Sequence, residues 1–333
     1  LGFYVGRGKF LSVSLGTPAL IIKSSQRVFI CKTQDGQQIE ATALGNLLKG
    51  EHGLVVGDKV QVDLTQQTPV IVHVEPRSNE LFRFLPREKK RKITAANVDI
   101  MAILVSVAKP EYKRGMVDRY LLRAVQWDVA PIVIFNKMDM YDEEKIDLLF
   151  EVERLKSLGV RCFEYSATQK DYVARVLPDG PEQLIETLKN KMTIFLGQSG
   201  VGKSKTIAAL SDGKIDLKTR EIGKAGKGTH TTTWSEVVDC GRFMLIDSPG
   251  IRSFSVVDFL DRNIESYFPD LYSYISGCQF SNCQHNANAK GCGFAGLDED
   301  NRQHQMILSR LDSYLRLKEE ISETPDWEKN KKN

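Results

Sequence analysis

Four groups of residues in this 333-residue chain have types and spacings suited to chemistry. The first, Gly197-Gln198-Ser199-Gly200-Val201-Gly202-Lys203-Ser204, reads Gly-x-x-x-x-Gly-Lys-Ser and is followed by Lys205. Such a loop curls successive backbone N–H groups around a polyphosphate at the positive end of a helix. Lys203 would reach the β- and γ-phosphates and stabilise charge on the leaving group, and Ser204 would ligate Mg²⁺. The second group is Asn136-Lys137-Met138-Asp139. The Asp139 carboxylate can accept from both N1–H and the exocyclic amine of guanine. Adenine would leave a buried Asp139 unpaired, a loss of about 1–3 kcal/mol. Asn136 would brace neighbouring loops, the Lys137 stem would lie across the base, and Ser166-Ala167-Thr168 would give a backbone N–H to the guanine O6. In the third group, Asp247-Ser248-Pro249-Gly250, Asp247 can hold the Mg²⁺ shell and the Gly250 N–H can meet the γ-phosphate. The fourth is Cys278, Cys283, His285 and Cys292, three thiolates and an imidazole that fill a tetrahedral zinc site and leave no position for water, as in structural zinc centres. Cys31, Cys162 and Cys240 sit singly in apolar runs and read as buried reduced thiols.

Elements that could position these residues are legible around them. Met192 to Leu196 reads as a strand and Lys205 to Leu210 as a helix, the context a phosphate loop needs. Asp99 to Val107 reads as a buried parallel strand, Met116 to Gln126 as a helix, and Pro131 to Phe135 as a strand whose carboxyl end delivers Asn136. Ligands bind at such strand ends in open α/β sheets. An amphipathic helix around Glu143 to Leu158 and a strand from Val160 to Tyr165 lead to Ser166. The segment containing Gly228-Thr229-His230-Thr231-Thr232-Thr233 is a candidate first switch, with Thr231 or Thr232 available to Mg²⁺, and the strand Phe243 to Ile246 runs into Asp247. In an ordinary GTPase the phosphate loop precedes the switches and the Asn-Lys-x-Asp block, and here the order is reversed. A domain with adjacent termini tolerates this reordering, so the domain is circularly permuted. Its second switch then leads outward to the cysteine cluster.

The remaining sequence predicts an α/β, multidomain protein: an OB-type β-barrel over 1–78, a basic linker over 79–92, a circularly permuted P-loop GTPase domain over 93–260 and a helical zinc-binding module over 261–333. The barrel is read from short β-like runs at Phe10 to Ser14, Ala19 to Ile22, Val28 to Thr33, Gln38 to Ala43, Lys59 to Leu64 and Val70 to Val74. The linker ends in Arg87-Glu88-Lys89-Lys90-Arg91-Lys92, which suits phosphate contact. Net charge is only +3, so any argument for nucleic acid rests on such local clusters. The longest apolar run, Ile100 to Ala108, is too short to span a bilayer, and the expectation is a cytoplasmic protein with no membrane partner. In the C-terminal part, Ile307, Leu308, Leu311, Leu315 and Ile321 recur at helical steps within a predicted helix over Leu297 to Glu323.

The order of these motifs resembles that of the bacterial ribosome small-subunit-dependent GTPase A family: a barrel, Asn136-Lys137-Met138-Asp139, Gly197 to Ser204, Gly228 to Thr233, Asp247 to Gly250, and a Cys-Cys-His-Cys module. The resemblance implies a factor that binds the small ribosomal subunit and its rRNA late in maturation, and a monomer is expected. It also implies GTP hydrolysis to GDP, stimulated by that subunit and used for release, with GTP or GDP, Mg²⁺ and one structural Zn²⁺ as ligands. The chain departs from the family pattern at Lys205, where a small hydroxyl residue is usual, and in a His285-to-Cys292 gap one residue longer than expected. Ile251 stands where Ras-like enzymes carry a water-orienting Gln. His230 is the polar alternative, as a catalytic group in the resemblance or as a loop histidine contacting RNA. A second reading of the whole is an RNA-binding assembly module that uses GTP as a regulatory ligand.

Overall fold

The structure, a computed structural model, describes residues 16–25, 27–48, 53–85, 90–215, 235–247, 263–285 and 289–323. Five strands open it: β1 (Thr17–Ser24), β2 (Phe29–Thr33), β3 (Gln38–Ala43), β4 (Lys59–Asp63) and β5 (Val70–Val74). They follow the ring β1-β2-β3-β5-β4 and close through β4 against β1, with β3–β5 the parallel pair. This is the five-stranded OB arrangement read from the sequence. Period-two alternation drives it: Phe29 and Cys31 on β2, Val60 and Val62 on β4, Ala41 and Ile71 all turn inward. On β1, Ile21 fills the barrel, whereas Ile22 on the opposite face joins the main core of the chain. The run expected at Phe10 to Ser14 lies outside the described residues.

The described residues of the segment 79–92 are not a linker: they belong to the antiparallel hairpin strands β6 (Glu80–Leu85) and β7 (Lys90–Ala96), with Leu85 opposite Lys90, while residues 86–89, with Arg87 and Lys89, lie outside the described residues. The charge run masks an apolar face: Leu81 and Phe82 are buried, the Arg91 guanidinium lies 4.4 Å over the Phe82 ring, and Trp127 Nε1 donates to the Phe82 carbonyl at 2.9 Å. Barrel and hairpin meet at Gly57, whose φ is +87° and where an added Cβ would fall 2.1 Å from the Ala96 carbonyl oxygen. Only glycine fits there.

The nucleotide-type domain runs β8 (Ile100–Ser106), α2 (Arg114–Trp127; α1 is the short turn Gly45–Leu48 of the barrel), β9 (Ala130–Asn136), α3 (Leu148–Ser157), β10 (Arg161–Glu164), α4 (Pro181–Leu188), β11 (Met192–Leu196), α5 (Lys203–Leu210), β12 (Glu236–Asp239) and β13 (Met244–Asp247). In space the order is β10-β9-β8-β11-β13-β12, parallel except for β12. Every residue of β8 is buried: Met101, Ile103 and Val105 enter one core, Ile100, Ala102 and Leu104 the other. That double coverage explains its unbroken apolar sequence. β11, which delivers the phosphate loop, lies between β8 and β13, so chain order and spatial order differ as circular permutation requires. β12 also pairs with β1 at Glu236 and Lys23, which makes barrel and domain one continuous sheet.

The C-terminal part contains α6 (Tyr272–Ser276) and α7 (Arg302–Glu323), so the last helix starts five positions later than its apolar spacing predicts. Tyr267, Phe268, Leu271, Phe294, Leu311, Tyr314 and Leu317 form its core together with Leu122 of α2. No described helix is long and apolar enough to cross a membrane.

Candidate nucleotide site and cysteine cluster

Three strand ends converge at the carboxyl edge of the sheet: β9 ends in Asn136, β11 leads into Gly197, and β13 ends in Asp247. The two sequence blocks written in reversed order are stitched together there by side chains. Asn136 Nδ2 donates to the Val201 carbonyl of the phosphate loop at 2.8 Å, and Asn136 Oδ1 accepts from the Ala167 N–H at 3.1 Å. Asn136 is 1% exposed, so these bonds form away from competing water. Gly202, at φ +103°, lets this happen: an added Cβ would sit 2.4 Å from Asn136 Nδ2.

Lys137 Nζ donates to the Gly200 carbonyl at 2.8 Å and to the Lys109 carbonyl, tying the loop after β8 into the same wall. Lys203 Nζ reaches back across the phosphate loop to the carbonyls of Gly197 at 2.6 Å and Gln198 at 2.7 Å. Ser166 Oγ donates to Asp139 Oδ1 at 2.6 Å. The loop after β10 is thus joined to the Asn-Lys-Met-Asp block at both Asn136 and Asp139. A groove of about 660 Å³ runs between Ser166, Ala167 and Thr168 on one side and Lys205, Ala208 and Ala209 of α5 on the other.

The structure brings together Asn136, Lys137, Met138, Asp139, Ser166, Ala167, Gly197 to Lys205 and the strand end at Asp247. His230, Thr231, Thr232 and Gly250 lie outside the described residues. One detail differs from the sequence reading. Asp139 is exposed rather than buried, held by Ser166 alongside it. In the Ser166-Ala167-Thr168 loop, expected to offer a backbone N–H to guanine O6, the Ala167 N–H is directed to Asn136. Sequence reasoning also passed over Glu164, which is fully buried at the end of β10. The signal was present, a lone carboxylate after the buried Cys162 and Phe163, two residues before Ser166.

The ligand atoms of Cys278, Cys283, His285 and Cys292 all lie within 4.8 Å of one another. Tetrahedral zinc with bonds of about 2.0–2.3 Å places its ligand atoms at such separations, so the set fits that ion. His285 presents Nδ1, 3.4 Å from Cys278 Sγ, and its backbone sits at φ +56°. Backbone donors face the sulfurs: the Gly293 N–H lies 3.3 Å from Cys278 Sγ and the His285 N–H 3.4 Å from Cys283 Sγ. The latter bond lowers the pKa of the Cys283 thiol and favours the thiolate a metal needs. The His285 ring is wedged against Phe294 at 5.6 Å and Tyr314 at 5.7 Å between centroids.

Known proteins match this arrangement. A family model described as RsgA GTPase matches residues 74–257, a span that includes the β6–β7 hairpin. The small ribosomal subunit biogenesis GTPase RsgA of Bacteroides fragilis is 36% identical over 313 residues, covering 91% of this chain and 97% of that protein. Its namesake from Flavobacterium psychrophilum is 30% identical over 317 residues, covering 92% and 93% respectively. Among solved structures, YjeQ from Thermotoga maritima superposes with a TM-score of 0.67 at 22% identity, over 93% of this chain and 99% of that one. YloQ, described as a circularly permuted GTPase, also superposes at 0.67 with 22% identity, over 96% and 99%. The permuted order of strands is therefore shared with solved proteins, and on the sequence match the chain belongs to the RsgA GTPase family.

Proposed function

We propose that this chain hydrolyses GTP to GDP in the late maturation of the small ribosomal subunit, binding the subunit's rRNA and leaving it when GTP is spent. The relatives named as small ribosomal subunit biogenesis GTPases support the biological setting. The observation that carries the chemistry is the Asn136 amide, which ties the Asn-Lys-Met-Asp block to the phosphate loop and to the 166–168 loop. At this junction Asp139 takes the N1–H and amine of guanine, with Ser166 to Thr168 at the O6 edge and the Lys137 stem along the base. Lys203 exchanges its carbonyl partners for phosphate oxygens, which are stronger, charge-assisted acceptors. Ser204 and Asp247, with Thr231 or Thr232, would hold Mg²⁺, and the Gly250 N–H would meet the γ-phosphate. His230 supplies the water-orienting group that Ile251 cannot. The exposed basic residues Lys90, Arg91 and Lys92 on β7 suit contact with rRNA phosphates.

The test is GTP turnover by the full chain with and without purified small subunits. Stimulated turnover supports the reading. Retained GTP binding without stimulation supports instead an RNA-binding module regulated by GTP. Asp139→Asn is expected to lower the preference for GTP over ATP, and His230→Ala to reduce stimulated turnover with GTP affinity unchanged; equal turnover in wild type and His230→Ala would remove His230 from the chemistry. The cysteine cluster, with four ligand atoms and no open position, is proposed to hold one structural zinc. Metal analysis of the gently purified chain is expected to find about one zinc per molecule.

A further inference from the structure

We infer that Glu164 is a positioning residue for guanine recognition, whose buried carboxylate fixes the loop carrying Ser166, Ala167 and Thr168; the inference rests on the GTP reading above. Glu164 is 0% exposed, yet it carries a carboxylate into the core at the end of β10. Such a charge is costly to bury unless donors surround it. Here they all come from one loop. Glu164 Oε1 accepts the Tyr172 hydroxyl and the Arg175 N–H at 2.9 Å; Oε2 accepts the N–H groups of Val176 at 2.9 Å and Leu177 at 2.8 Å. The chain leaves β10 at Glu164, passes through Ser166 to Thr168, and returns to that same side chain at 175–177. The carboxylate therefore closes the loop on itself.

The opposite side of the loop is held by the base-recognition block. Tyr165 donates from its backbone to the Phe135 carbonyl at 2.9 Å and accepts from Met138 at 3.2 Å, while Asn136 and Asp139 take Ala167 and Ser166. Between the two clamps, Tyr172 both bonds Glu164 and lines the groove that faces α5. Ser166 to Thr168 thus stand where two rigid supports set their height and tilt. Displacement of a recognition loop by a fraction of an ångström weakens contacts to the base while leaving the phosphate loop untouched.

Glutamine at 164 has nearly the same shape but turns two N–H groups toward converging N–H donors, so at least one backbone donor loses its acceptor. The experiment compares binding of GTP and ATP by wild type, Glu164→Gln, Glu164→Asp and Tyr172→Phe in the full chain, with GTP kcat and KM measured alongside. Glu164→Gln is expected to weaken GTP binding by about tenfold or more and to raise KM with kcat little changed. Its ATP binding should stay as in wild type, so that discrimination between the bases falls. Tyr172→Phe, which removes one donor, should show the same pattern at about two- to fivefold. Glu164→Asp, which restores a carboxylate, should recover part of the loss. Unchanged discrimination in a folded Glu164→Gln, or equal weakening of GTP and ATP, would overturn the assignment. If Glu164→Gln does not fold, Tyr172→Phe decides, and full discrimination in that variant overturns it too. A wild type that does not prefer GTP to ATP would sink the guanine reading itself, and this inference with it.

Discussion

The barrel and the cysteine-bearing module are each joined to the central domain, but by different physics. The N-terminal joint is made on backbone groups, which meet other backbone groups or neutral side-chain amides. Ala96 donates to the Val56 carbonyl at 3.0 Å, and the Asn97 side-chain amide reaches the Gly57 carbonyl at 2.8 Å. Its charged contacts at β12, Lys32 with Asp239 and Lys23 with Glu236, are partly open to water. The C-terminal joint is a knot of buried side-chain charge. Asp118 of α2 accepts from Arg154 of α3 at 2.8 Å, lies 3.0 Å from Arg310 of α7, and takes the Ser313 hydroxyl at 2.5 Å. Arg310 continues to Asp270 at 2.9 Å, and Glu151 gathers Arg154, Arg114 and Tyr112. Burial opposes the charge on Arg154, but Asp118 and Glu151 outweigh it and raise its pKa. A joint made on backbone groups tolerates side-chain change except at the amides that reach them, such as Asn97, and where a chain must pass close by. A joint made of buried charge depends on every partner being present.

Three substitutions sharpen this contrast. Asp118→Ala would leave the guanidinium groups of Arg154 and Arg310 buried and facing one another, and should cost about 3–5 kcal/mol in chemical denaturation. A loss under about 1 kcal/mol would mean the knot is not what holds the module. Gly57→Val combines a β-branched residue at positive φ with contact against the Ala96 carbonyl, and should cost about 1–3 kcal/mol, read as a lower melting temperature. A neutral result would show that the barrel joint can slide. Lys32→Ala should cost no more than about 1 kcal/mol, and that difference should vanish at high salt. The Asp118→Ala deficit should persist there, because buried pairs are poorly screened.

What could be read from the sequence follows the same division. The phosphate loop and the cysteine cluster are local strings whose spacing states their geometry, and the alternation of Phe29, Cys31 and Thr33 or the solid apolar run of β8 gives away a barrel strand and a covered strand. The hairpin was hidden because Lys90, Arg91 and Lys92 sit at the exposed start of β7 and read as solvated charge, although Leu81 and Phe82 carry its buried face. The charge knot was invisible for another reason: Asp118 and Arg310 lie far apart in sequence, and nothing in either neighbourhood points to the other. Glu164 falls between these cases, since its position at the end of a buried strand was visible but its four donors come from a loop with no regular period.

The placement of β11 between β8 and β13 also bears on how the protein is made. As the chain emerges during synthesis, β8, β9 and β10 can assemble first, leaving one long edge of β8 without a neighbour until residues 192–196 have followed. Bare apolar edges invite pairing with other chains. The nascent protein thus carries Asn136 to Asp139 before its Gly197 to Ser204 loop exists, and the two can meet only once the second half has been threaded into that gap.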